Sequence, residues 1–239
     1  MSVVKTALAH PSRMRGIFRY LLQTKGQKEN IEVLERRLSP DKLVEDKSTP
    51  RPMFNAALRE SIKCGLLVEE DKEIAINPNL PEDARNPRLG DKLLPDTLSY
   101  LFFTSGNEDE EDFGRVCAWY LAQDIYDAPG TWKEIEQKVS EQKVGDLLKM
   151  SSDRLFIQMD DWMCYLGFAW HHALGGKSVT VPDPTAYIKR NLQRLFDGQK
   201  KLLIKEFILQ LATICPLFET GKFREEVEAK IDRRLPNYL

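Results

Sequence analysis

Three short patterns in this chain have residue types and spacing that invite a chemical reading. Gly176-Lys177-Ser178 has the form of the end of a phosphate-binding loop, where backbone amides and a lysine cradle phosphates. That register needs a glycine at His171, and the segment runs into the apolar triplet Val179-Thr180-Val181 where a phosphate loop would open a helix. A two-residue hairpin turn accounts for Gly175-Gly176 instead. Glu70-Asp71-Lys72 has the acid-x-lysine form of metal-dependent nucleases, but it falls at a hairpin tip, and such carboxylates must project from a central strand beside another aspartate. His171 and His172 point to opposite faces if they share a strand, and no third ligand is apparent in the sequence. Cys64, Cys117, Cys164 and Cys215 are far apart with no CxxC pair, which argues against a disulfide framework and a zinc site. The expectation is a chain that is not an enzyme, with no catalytic residue, metal or cofactor.

A polar stripe carries a different chemistry. Asn55, Arg59 and Lys63 recur at i, i+4 and i+8, opposite the apolar Phe54, Leu58 and Ile62. Arginine and asparagine suit bidentate contacts with guanine and adenine edges, and lysine suits a phosphate. Arg13, Arg15 and Arg19 lie mostly outside the apolar stripe Ile17, Phe18, Leu21 and Leu22 of an earlier helix and add a basic face. These six residues are the expected DNA contacts. The contact is expected to be weak and to the backbone of double-stranded DNA, because Glu60 interrupts the positive surface and Glu69, Glu70, Asp71 and Glu73 make the following turn acidic.

The elements that position this stripe follow from periodicity. A helix from Met14 to Gln23 starts behind Ser12 as N-cap. A second, from Glu29 to Leu38, buries Ile31, Leu34 and Leu38. The third begins after Ser48-Thr49-Pro50 and stops at Gly65. Strands 66–68 and 74–76 then flank the polar turn 69–73. Residues 77–94 carry three prolines and a glycine without sustained periodicity and read as a linker. A helix from Pro95 to Phe103 buries Leu98, Leu101 and Phe102, and the run GNEDEED reads as a solvated acidic loop.

The same order then repeats. Helices are expected over Phe113 to Ile125, Thr131 to Ser140 and Ser152 to Tyr165, followed by a second hairpin. KCGLLVEEDKEIAINP has its counterpart in YLGFAWHHALGGKSVTVP, with Gly65 matching Gly167 and Pro78 matching Pro182. In the second module the third helix sets Asp153, Asp160 and Asp161 against one Arg154, so Phe156, Met159 and Trp162 on that helix are expected to bind protein rather than DNA. Helices are also expected over Thr185 to Phe196, Lys200 to Ile214 and Thr220 to Arg233. The middle one, LLIKEFILQLATI, must be core or an obligate interface, and core is expected, with Lys200, Lys201 and Lys205 as its rim.

Bulk properties bound the function without deciding it. The 239 residues are 42% hydrophobic and 30% charged, with a formal net charge of −2, so any nucleic-acid contact must come from a local patch. No secretory h-region and no membrane-length apolar run is present, and a cytoplasmic location is expected.

Helix, helix, helix, strand, turn, strand resembles a winged helix-turn-helix, whose third helix usually reads DNA or a partner. The fold class expected is therefore mainly α with short β-hairpins: an N-terminal winged helix over 1–79, a linker over 80–94, a second winged helix over 95–183, and a C-terminal helical segment over 184–239. Two winged helices in tandem resemble the kleisin-interacting (KITE-like) subunits of SMC complexes. The strings HPSRMRGIFRYLLQTKG, DDWMCYLGFAW and VPDPTAYIKRNL carry a looser likeness to winged-helix accessory proteins of bacterial anti-phage gene clusters. Among those are SMC-containing Lamassu-type systems and clusters linked to deazaguanine DNA modification. The resemblance implies a non-catalytic subunit that joins an SMC-like ATPase or a nuclease of the same system to DNA. The competing expectation is a free-standing winged-helix transcriptional regulator.

Overall fold

Helix α1, Pro11–Gln23, begins where proline costs nothing: Pro11 takes the first helical position, whose N–H would have no intrahelical partner, and His10 before it is extended. The cap is therefore His10 and not Ser12. The computed structural model that defines these elements describes residues 2–6, 8–44, 51–149, 152–174 and 177–231. The chain is mainly helical with short antiparallel sheets, divided into two compact units, residues 3–101 and residues 102–239 together with 1–2.

In the first unit Met14, Ile17, Phe18, Leu21 and Leu22 form the buried stripe of α1. Residues expected to open the second helix are instead strand β1, Lys28–Asn30, which pairs with a later strand. Helix α2, Ile31–Leu38, follows directly, and the Asn30 side chain caps it by accepting from the Glu32 N–H at 2.9 Å. Leu34 is fully buried, whereas Leu38 is half exposed. Helix α3, Pro52–Lys63, buries Phe54, Ala57 and Leu58. The triplet 48–50 expected to cap it lies outside the described residues.

Gly65 at φ +80° stops α3, in a left-handed conformation that side chains disfavour. Strands β2, Leu67–Glu70, and β3, Glu73–Ile76, are longer than expected because the turn between them is only Asp71-Lys72, both at positive φ. The sheet order is β1-β3-β2, all antiparallel.

The segment expected as a linker is structured. Helix α4, Glu82–Arg85, and the first turns of helix α5, Gly90–Phe103, occupy it, with Leu80, Ala84 and Leu94 buried. Pro95 sits inside α5 one turn after its start, where its missing N–H removes a single backbone hydrogen bond. Glycine is required at position 90, because a Cβ there would lie 2.3 Å from the Ala84 carbonyl oxygen.

The second unit contains α6 (Glu111–Leu121), α7 (Trp132–Glu141), α8 (Gly145–Leu148) and α9 (Asp153–Leu166). Thr131 and Glu134 form a reciprocal capping box at the start of α7. Gly167 at φ +85° ends α9 and leads into β4, Ala169–Leu174, which pairs antiparallel with β5, Lys177–Pro182. Three helices follow: α10 (Thr185–Phe196), α11 (Ile204–Ile214) and α12 (Lys222–Glu228).

An aromatic cluster forms the core of this unit. Phe102 and Trp162 meet edge to face at 5.3 Å, and Phe168 lies 4.7 Å from Tyr187. The acidic run is not simply solvated. Glu110 is fully buried and accepts from the Ser2 hydroxyl at 2.7 Å, and Glu111 and Asp112 pair with Arg115. Helix α11 is core only at its C-terminal end, where Leu211 and Ala212 are buried, while Leu203 and Ile204 are exposed. Among the described residues no helix is long and apolar enough to cross a membrane.

Candidate functional site

The expected DNA contacts all fall in the first unit, and α1 and α3 place them differently. Asn55 and Arg59 are exposed on α3, as the stripe requires. Lys63, one turn further on, is drawn inward into an ion pair with Glu60, which is buried and also accepts from the Thr6 hydroxyl at 2.8 Å. Glu60 therefore does not interrupt a positive surface. It is an internal anchor whose charge Lys63 neutralises.

On α1, Arg13 donates from Nη1 to the Leu8 carbonyl at 2.7 Å. Arg15 binds Asp91 with two hydrogen bonds of 2.7 and 2.8 Å, and the Arg19 guanidinium lies 4.0 Å from the same carboxylate. The paired Arg15 guanidinium holds the Asp91 carboxyl below the usual carboxylate range. Asp91 belongs to the stretch expected as a linker, which is why the cancelling charge escaped the sequence reading. The basic face of α1 is thus partly neutralised by its own chain, while Arg59 is exposed on α3.

The expected protein contacts lie on α9 in the second unit. Trp162 is fully buried and Met159 is 1% exposed, so their apolar surface is already removed from water by the core. They cannot present a surface to a partner in this fold. Phe156 is partly exposed, and its neighbour Ile157 is 55% exposed. The exposed apolar surface of α9 therefore lies toward its N-terminal half.

The face of α9 turned to the hairpin holds a polar cluster. Asp160 and Cys164 are one helical turn apart, and His171 and Thr180 are directly opposite each other on β4 and β5. The Thr180 hydroxyl donates to Asp160 Oδ1 at 2.5 Å, His171 Nδ1 is 3.1 Å from that hydroxyl oxygen, and His171 Nε2 is 3.2 Å from Asp160 Oδ2. The Cys164 thiol donates to Asp160 Oδ1 at 3.8 Å. Behind the cluster, the buried Tyr120 hydroxyl donates to the Thr180 carbonyl at 2.9 Å and fixes the strand. Burial raises the Asp160 carboxyl, while its bond from Thr180 opposes the shift.

Burial, helped by the Asp160 charge, pushes the Cys164 thiol up to about 12. In the metal-free protein Cys164 is therefore expected to resist alkylation: at pH 8 its thiolate population is roughly 1,000-fold below that of a thiol at the ordinary value. Disulfide-exchange kinetics with a chromogenic reagent check this, and reaction of Cys164 at the rate of a free thiol would contradict the cluster geometry.

The cluster is not evident from the sequence, where His171 and His172 stand side by side with no third ligand in view. The two point to opposite sides of β4, and His172 stacks with Trp170 at 4.8 Å. The available signal was the i, i+4 pair Asp160 and Cys164 just upstream.

A family model described as DpdG-like matches residues 1–238 of the chain. No curated protein and no solved structure matches it.

Proposed function

This chain belongs to the DpdG-like family, and from that premise we propose that it is a non-catalytic accessory subunit of a bacterial DNA-acting defence complex, built on two winged-helix modules in tandem. Membership implies a protein associated with a defence cluster, in line with the likeness to deazaguanine DNA-modification clusters. The observation that carries the rest is the first unit's topology. A strand between the first two helices pairs with the second strand of the hairpin, giving the order β1-β3-β2, which is how a winged helix closes its sheet. In that arrangement α3 is the recognition helix, and Asn55 and Arg59 are the side chains it offers.

In this reading the first unit touches the backbone of double-stranded DNA weakly, and the second unit binds an SMC-like ATPase or a nuclease of the same system. Phe156 and Ile157 on α9 supply the apolar contact, with Asp161 beside them as polar rim. Like the kleisin-interacting subunits it resembles, the chain bridges enzyme and substrate.

Two opposite substitutions test the DNA contact. Arg59→Glu is expected to lower DNA affinity and to reduce the salt slope of log affinity by about 0.9, one phosphate contact. Asp91→Asn is expected to raise both, because it removes the carboxylate that offsets Arg15 and Arg19. If neither change moves affinity or slope in the assembled complex, the first unit does not bind DNA here. Native purification from the host, with Phe156→Ala in parallel, tests the bridge: loss of the co-purifying ATPase or nuclease supports it. A sequence-specific footprint by the lone protein would instead favour a regulator.

A further inference from the structure

The polar cluster of the second unit has three short contacts closed into a ring: Asp160 to Thr180, Thr180 to His171, and His171 back to Asp160. The Thr180 hydroxyl donates to Asp160 Oδ1, His171 Nδ1 faces the Thr180 oxygen at 3.1 Å, and His171 Nε2 faces Asp160 Oδ2 at 3.2 Å. The Cys164 sulfur lies beside them, 3.8 Å from Asp160 Oδ1. One ligand atom from each of Asp160, Cys164 and His171 fits within 4.8 Å of the others.

We propose that Asp160, Cys164 and His171 form a zinc site that ties helix α9 to the β4–β5 hairpin. The ligand set is what a borderline-soft cation selects: a thiolate, an imidazole nitrogen and a carboxylate oxygen. Zinc–ligand bonds of about 2.0–2.3 Å in tetrahedral geometry space the ligand atoms roughly 3.3–3.8 Å apart. The Nε2 to Oδ2 distance of 3.2 Å is close to that spacing, and one ligand atom from each of the three residues lies within 4.8 Å of the others, so a small side-chain adjustment brings the sulfur in. The second shell is already in place. A metal-bound histidine commonly donates its other N–H to a fixed oxygen, here Thr180, which also orients the carboxylate and is itself positioned by Tyr120.

Charge closes as well, because thiolate and carboxylate together balance a divalent ion. Binding expels the Cys164 proton, so apparent affinity rises with pH. His171 is 47% exposed at its side chain, which leaves the fourth position to water.

The test uses the full-length, tag-free chain. Zinc is titrated in competition with a chromophoric chelator, and cobalt is added separately as a spectroscopic probe of thiolate ligation. The expected result is one zinc per chain, a thiolate-to-cobalt charge-transfer band, and a zinc-dependent rise in Tm. Cys164→Ser and His171→Asn should each weaken zinc by about 100-fold or more and abolish the band, since they remove ligands and not only second-shell support. His172→Asn, on the other face of the strand, should bind as the natural chain does. Circular dichroism confirms that each variant is folded. No zinc uptake by the natural chain at micromolar concentrations overturns the proposal. Undiminished uptake by folded Cys164→Ser overturns it equally.

Discussion

Leu58→Asp is expected to unfold the first unit. Leu58 is 5% exposed on α3, packed on the same buried face as Phe54 and Ala57. Removing it forfeits about 1.5–3 kcal/mol of apolar burial. The carboxylate that replaces it must either be buried without a partner, which costs several kcal/mol more, or force the helix off the core. Against a typical domain stability of about 5–15 kcal/mol, the sum removes most or all of the margin. The measurement is thermal denaturation together with hydrogen exchange resolved by residue. Amides of α1, α3 and β3 are expected to lose protection while those of α6 and α9 keep it. An unchanged melting curve would mean that α3 does not pack as described.

Trp162→Ala is the second large effect, expected to destabilise the second unit by about 3–5 kcal/mol. The indole is fully buried and meets Phe102 at 5.3 Å and Tyr165 at 6.2 Å, both edge to face. Its truncation opens a cavity that rigid aromatic neighbours cannot collapse to fill. Among the described residues the indole N–H has no hydrogen-bond partner, so Trp162→Phe removes an orphan donor along with part of the ring and is expected to cost clearly less than alanine. Denaturant titration of the three proteins measures both differences. A partner-binding defect in Trp162→Ala without loss of stability would show that the residue faces outward, contrary to its burial.

Periodicity alone located most of this fold. The apolar stripes of α1 and α3, the glycine stops at Gly65 and Gly167, and the span of α10 are local facts, because a residue's neighbours on a helix face and the sign of φ at a turn are set within a few positions of sequence. The repeat of helices followed by a hairpin was legible for the same reason.

What required the tertiary structure was long-range pairing. Strand β1, Lys28–Asn30, is polar and without pattern, and is a strand only because β3 offers it hydrogen bonds. The prolines of residues 77–94 conceal buried anchors at Leu80, Ala84 and Leu94.

The same limit governs the candidate sites. Sequence placed Asn55 and Arg59 correctly on the exposed face of α3, since helical spacing decides that. It could not foresee that Asp91, 76 positions from Arg15, would offset part of the charge on α1. Nor could it tell which aromatic side chains of α9 face the core: Phe156 remains partly exposed and Trp162 is fully buried. The Asp160, Cys164 and His171 cluster is the clearest case. Helical spacing brings the first two together, but His171 joins them only because β4 folds back against α9. Coulomb and hydrogen-bond energies depend on distance in space, and a chain fixes that distance locally for neighbours one turn apart and through its whole fold for all others.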